Sequence, residues 1–223
     1  LADIADRYFS EKTANRIASI IPRVNSASAA INTDVYIFHT VASGSSFTVP
    51  ADWNPASNSI EVIGAGGGGT GDSANNAAHG GMGGGAGGGY SRITNLSLTP
   101  GNTVVVGVGA KGTGGTTGSN QTDGGHTFFN AATFVACADN TVCVKAEGGE
   151  AGSLEATIAS VSGGDIGSTA SAVGTTRYRG GDGGRGHTTN STPGGGGGGS
   201  AGKFGNGGNG ANAATTAGWR GSG

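Results

Sequence analysis

The sequence predicts a mainly β protein with a short N-terminal helix, a small β layer and a packed polyglycine II helix array. Three observations predict it. Glycine supplies 50 of 223 residues, against a usual share of about 7%. Leu, Ile, Val and Phe together are too few for an ordinary oily core, yet the net charge is only −2, so the composition is not that of a charged disordered tail. Short runs of β-branched and aromatic residues alternate with the glycine blocks.

The same numbers exclude several classes. A charge of −2 offers no basic face for generic phosphate binding. There are 5 Pro and no strict Gly-X-Y period, so collagen is excluded. No apolar run approaches the roughly 18 residues needed to cross a membrane as a helix. The chain opens at Leu1 and stops within a Gly-Ser run, and it reads as a fragment of a longer protein.

Glycine is absent from residues 1–59 save for Gly44, which sets the first boundary. Residues 1–42 read as a helical connector or shaft segment. The helix covers Ala2 to Ile20, with Asp3, Asp6 and Glu11 early and Arg16 late, as the helix dipole favours. Ile17, Val24 and Ile31 recur every seven residues, but Pro22 interrupts any continuous coiled coil. The helix packs either on its own chain or at the axis of a symmetric oligomer.

Residues 43–147 read as a β-rich glycine-rich domain. Strand signals begin before it, at Thr33–Val41, and continue within it at Ser46–Val49, Ser59–Ile63, Tyr90–Leu98, Thr103–Val108, Phe128–Phe134 and Val142–Lys145. Pro100-Gly101 marks a tight turn. Asp139-Asn140-Thr141 at a hairpin tip would oppose Cys137 and Cys143 closely enough for a disulfide.

Residues 148–223 form a third region, with 20 Gly in the last 50 residues and only Tyr178, Phe204 and Trp219 as large apolar groups. Such a segment is either a flexible linker or is ordered by its backbone. Extended helices of three residues per turn have no internal hydrogen bonds. Their N–H and C=O groups must find partners in neighbouring helices, which glycine on two of three faces permits. GGM-GGG-AGG at 80–88 and GGD-GGR at 180–185 carry that spacing. The blocks alternate with strands, which favours the array.

Motifs for chemistry are cheap matches here. Gly107 to Gly112 spells G-x-G-x-x-G, but Thr-Gly-Gly-Thr follows where a dinucleotide site needs a helix. Gly197 to Lys203 spells G-x-x-x-x-G-K, with Phe204 where a hydroxyl must bind Mg²⁺. The four His form no ligand pair at short spacing. We therefore expect no catalytic residues, no metal site and no cofactor.

The order of blocks carries more. SGSSFTVPADW (43–53), SIEVIGAGGGG (59–69), GGMGGGAGGGYSR (80–92), LTPGNTVVVGVGAKG (98–112) and DGGHTFF (123–129) precede an array of glycine runs. This resembles the glycine-rich domain of bacteriophage tail fibre and tail tip receptor-binding proteins. The match covers residues 43–130 well and the remainder loosely. His126-Thr127-Phe128 lacks the family's usual Ser before Phe, and residues 136–144 look like a local elaboration.

The resemblance implies a non-enzymatic viral protein of the virion, usually a homotrimer, with polyglycine II packing. Its loops would recognise a bacterial outer-surface protein or polysaccharide, without nucleic acid and without membrane insertion. The alternatives are a bacterial cell-surface trimeric adhesin or a purely structural fibre spacer. An ice-binding reading would want regular small residues facing outward, and Arg177, Arg179 and Arg185 argue against it. Within the array only the joins between glycine runs are free to vary. Thr175 to Arg179 is the richest join, so Arg177, Tyr178 and Arg179 are the first receptor-binding candidates. His187, with Lys203 and Phe204, lies in the second-choice joins.

Overall fold

The computed structural model describes residues 42–71, 82–115, 121–152, 172–186 and 194–213. The expected N-terminal helix, the Thr33–Val41 strand and His187 lie outside the described residues. Seven strands are present: β1 (Ala42–Thr48), β2 (Ser59–Ile63), β3 (Tyr90–Thr94), β4 (Thr103–Val108), β5 (Thr127–Phe129), β6 (Val144–Ala146) and β7 (Thr176–Tyr178). They form two antiparallel sheets, ordered β1-β4-β5-β6 and β2-β3-β7. The described part is mainly β, as expected, and none of its residues is helical.

The two sheets share one small core. Phe47, Val49, Val104, Val106, Phe129, Val144 and Ala146 come from the first sheet and its flanks. Val62, Ile93 and Leu96 come from the second. The Phe47 and Phe129 rings meet at 5.7 Å between centroids, the tilted geometry aromatic pairs favour. Trp53 packs on the rim and donates its indole N–H to the Leu96 carbonyl at 3.0 Å.

Turn chemistry explains how the strands are separated. Asn102 N–H donates to the Thr99 carbonyl at 3.1 Å, and Gly101 takes φ 81° after Pro100. That is the type II arrangement, with glycine at the position that needs positive φ. The turn does not join neighbouring strands. β3 and β4 belong to different sheets, and β4 pairs instead with β1. Gly44, at φ 78°, sits where the β1 register shifts, consistent with a bulge.

Each sheet strand from β2 onward is continuous with a glycine run. Run 1 (64–70) follows β2, and run 2 (82–89) leads into β3. Run 3 (109–115) follows β4, and run 4 (121–126) leads into β5. Run 5 (147–152) follows β6, and run 6 (179–186) follows β7. Runs 7 (194–201) and 8 (205–213) form a pair closed by a turn at Gly202 and Gly205, which exchange two backbone hydrogen bonds of 3.1 Å.

Hydrogen bonding between the runs repeats every three residues. In run 1 the N–H groups of Gly64, Gly67 and Thr70 donate to Gly89, Ala86 and Gly83 of run 2. Those of Ala65 and Gly68 donate to Gly125 and Thr122 of run 4. The carbonyls of Gly66 and Gly69 accept from Gly112 and Gly115 of run 3. Those of Ala65 and Gly68 accept from Gly149 and Gly152 of run 5. Successive residues thus address different neighbours, and the fourth returns to the first.

This network joins run 5, beyond residue 147, to run 1 through the Gly149 and Gly152 amides. Glycine is required by this packing. A Cβ on Gly68 would run into the Thr113 carbonyl, one on Gly84 into that of Gly196, and one on Gly181 into that of Gly208. The G-x-G-x-x-G match has the same cause. A Cβ on Gly107 would strike the Phe128 ring, and one on Gly112 the Gly68 amide.

Candidate functional site

The Thr175–Arg179 segment is not a free join. Thr176, Arg177 and Tyr178 form β7, with Tyr178 opposite Tyr90 and Arg177 opposite Ser91 of β3. The Tyr178 ring stacks on Tyr90 at 6.0 Å and 29°. Tyr90 itself is buried, and burial with the Glu61 carboxylate nearby pushes its hydroxyl up to about 12. Arg177 stays exposed and donates Nη1 to the Ala172 carbonyl at 3.2 Å.

From Arg179 the chain enters run 6, where every third residue carries a side chain: Arg179, Asp182 and Arg185. Arg179 Nη2 pairs with Asp182 Oδ2 at 2.7 Å. Run 8 lies alongside with Asn206, Asn209 and Asn212 at the same spacing. Their side-chain oxygens accept the backbone N–H of Arg179, Asp182 and Arg185 at 3.1, 3.0 and 2.8 Å. One residue further on, Gly207, Gly210 and Ala213 donate to the carbonyls of the same three residues. The asparagine amides stand in for a further backbone neighbour at the exposed side of run 6. Sequence reasoning missed them, although N-x-x-N-x-x-N repeats with the period of the glycines.

The turn between runs 7 and 8 carries Lys203 and Phe204. Ala201 N–H donates to Gly88, the residue before Gly89 and Tyr90, so the turn lies level with the start of β3. Phe204 is 91% exposed, and the Lys203 ammonium stands 4.9 Å from its ring centroid. Arg179, Lys203 and Phe204 are thus brought to one edge, linked through Asn206 and Gly207. This edge holds Lys203 and the Asp182-paired Arg179 as cations and Phe204 as an exposed aromatic. Such a set offers planar donors for carboxylate or phosphate and apolar area beside them.

Cys137 and Cys143 are joined by a disulfide and both are buried. The local geometry differs from the expected hairpin. The Asp139 carbonyl accepts from both Val142 and Cys143, at 3.2 and 3.1 Å, and Asp139 Oδ1 accepts Thr141 N–H at 2.8 Å. The segment is a turn wound about Asp139, and the bridge closes it. Nearby, Phe134 is stacked on His126 at 4.0 Å and has the buried Lys145 ammonium 4.4 Å from its centroid. Burial lowers the Lys145 pKa, and Glu147 partly opposes that. His126 Nδ1 accepts the Gly148 N–H at 3.0 Å.

Among the described residues no three His, Cys, Asp or Glu side chains gather as metal ligands. No helix among them is long and apolar enough to cross a membrane. The model of the glycine-rich domain family matches residues 40–223, most of the chain, and the protein belongs to that family. Neither the curated proteins nor the solved structures contain a significant match to it.

Proposed function

We propose that this chain is a non-enzymatic tip or adhesin domain of a phage tail fibre, exposed on the virion and assembled as a homotrimer. It recognises a protein or polysaccharide of the bacterial outer surface. In this reading the glycine runs are polyglycine II helices. The support is their three-residue hydrogen-bond period, which is the turn of that helix, and the carbonyls that exclude any Cβ between runs. An array so bonded is a stiff platform on which a few side chains are held in place.

One observation carries the receptor reading over that of a plain spacer: Phe204, at 91% exposure, on a two-residue turn beside Lys203 and Arg179. An uncovered aromatic on a short turn contributes nothing to its own fold. It offers amphipathic area that costs little entropy to immobilise, and neighbouring guanidinium and ammonium groups suit the anions of a bacterial surface. The test is binding of the recombinant chain to candidate host cells that have or lack given outer-membrane proteins or polysaccharides. Loss of binding with one surface component identifies its receptor class. Absence of binding to every host surface, by a trimer of proven integrity, overturns the proposal.

A further inference from the structure

Runs 1, 2 and 7 enclose a groove of about 380 Å³. Its walls are nearly all backbone. In run 2 the N–H groups of Gly84 and Gly87 donate to run 6, and those of Ala86 and Gly89 to run 5. The third set of the period is Gly85 and Gly88. Neither donates to any other described residue, and Gly85, though buried, lines the groove. From the facing wall, the carbonyls of Gly195 and Gly198 in run 7 accept no N–H from the described residues, whereas that of Gly67 in run 1 rests against the Gly85 backbone. Backbone groups that lose water normally find partners. Here Gly85 of run 2 and Gly195 and Gly198 of run 7 line one groove with backbone groups that have no partner among the described residues, the last two at the three-residue spacing by which the runs bind each other.

A second observation is independent of the first. Within the array most glycines are required, because a Cβ would collide with a neighbouring carbonyl. Gly66, Gly69, Gly194 and Gly197 are different, as are Gly114 and Gly208 outside the groove. A Cβ there would meet no heavy atom closer than 3.6 Å. The first four line the groove. The packing of this chain on itself does not require glycine at these places. A backbone lying in the groove at the distance kept by the other runs does require it.

We propose that the groove receives an extended glycine-rich segment of another polypeptide, which completes the array as a ninth run. Glycine on two of every three positions would let it approach on all sides. Its carbonyls would accept from Gly85, and its N–H groups would donate to Gly195 and Gly198. Three residues of such a segment advance about 9 Å, which is also the repeat of the groove's own unpaired groups. A glycan chain could meet single donors, but the missing Cβ atoms and the period favour a peptide. The proposal is separate from receptor recognition, which uses the Lys203–Phe204 edge.

The test titrates the peptide (Gly-Gly-Ser)₅ into the full chain carrying ¹⁵N-labelled glycine and follows the Gly85 amide. A saturable shift of that resonance is expected, with no response to (Ala-Ala-Ser)₅. Filling the groove with Gly69→Leu and Gly197→Leu should weaken binding at least tenfold and leave the other glycine resonances in place. If leucine disturbs the array, the pair Gly66→Ala and Gly197→Ala serves, with a smaller but measurable weakening. No Gly85 shift, an equal response to the alanine peptide, or unchanged binding by a folded groove variant each overturns the proposal. So does a dextran or chitin oligosaccharide that shifts Gly85 when the glycine peptide does not.

Discussion

Asn209 holds Asp182 by its backbone: the asparagine Oδ1 accepts the Asp182 N–H at 3.0 Å, while Gly210 next to it donates to the Asp182 carbonyl at 2.8 Å. Asn206 and Asn212 repeat this on Arg179 and Arg185. Each amide replaces a backbone acceptor that no further run among the described residues supplies. All three asparagines are exposed, so each bond contributes modestly, about 0.5–1.5 kcal/mol. Asn209→Ala should lower the melting temperature by a few degrees, since about 1 kcal/mol moves it roughly 2–4 °C in a chain of this size. Replacing all three should loosen run 8 locally, read as faster amide exchange at Gly207 and Gly210. An unchanged melt for the triple variant refutes the ladder's role.

Glycine positions in the array should divide sharply under alanine substitution. At Gly68 the new methyl would occupy the place of the Thr113 carbonyl, and backbone must move. Overpacking of this kind costs about 1–3 kcal/mol or more. At Gly66 the nearest atom is 3.6 Å away, and losing glycine's freedom in the unfolded chain leaves the change between neutral and about 1 kcal/mol stabilising. Thermal melts of Gly68→Ala and Gly66→Ala should therefore move in different directions. Equal losses would mean that glycine serves flexibility rather than close approach.

How far this was legible in the sequence depends on the element. Ser59–Ile63 and Thr103–Val108 appear with the expected limits, because β-branched runs bounded by turn residues have few other fates. The strand expected over Phe128–Phe134 stops at Phe129, since Asn130 takes φ 60° and leaves the ladder. Val142, expected in the last strand, is held in the turn at Asp139. β7 reads as a join in the sequence, because five residues between Gly174 and Gly180 carry too little pattern. It is a strand only because β3, far away in sequence, pairs with it. The asparagine ladder was hidden for a similar reason. In a glycine-rich stretch Asn reads as a turn former, and only the neighbouring run reveals its period.

The disulfide should matter more than its short loop suggests. Cys137 and Cys143 close a loop of sequence separation 6, and constraining the unfolded chain over such a loop is worth about 2 kcal/mol. Both sulfurs are buried with Val173 and Ala131. Alkylation of the native, unreduced protein should leave its mass unchanged. Reduction before denaturation should lower the melting temperature by several degrees. Labelling of both thiols without reductant refutes the bridge.

Tyr90 gives the fold an alkaline limit. Its hydroxyl has a folded-state pKa of about 12 against 10.0 in the unfolded chain. The folded state therefore keeps a proton that the unfolded state releases. The corresponding stability is complete below pH 10 and is lost as pH rises toward 12. Absorbance near 295 nm should show one tyrosine ionising about two pH units above an ordinary phenol. Tyr90→Phe should remove that component and flatten the alkaline loss of stability. A wild-type titration with all tyrosines near pH 10 contradicts the assignment.

The last prediction separates recognition from structure at the Lys203–Phe204 edge. Replacing Arg177, Tyr178 and Arg179 together would be ambiguous, because Tyr178 stacks on Tyr90 and β7 is paired to β3. Tyr178→Ser alone should cost about 0.5–1.5 kcal/mol from the lost ring pair, in addition to lost burial. Lys203→Ser with Phe204→Ser is the cleaner probe. Phe204 is 91% exposed, and surface changes of this kind usually stay within about 0.5 kcal/mol. The double variant should melt with the parent and bind host cells at least tenfold more weakly. Arg177→Ser should weaken binding less, since that guanidinium is already engaged with Ala172. Undiminished cell binding by the double variant would remove this edge as the receptor surface. The other candidate join begins at His187, outside the described residues, and the same assay on its variants would decide between the two candidates.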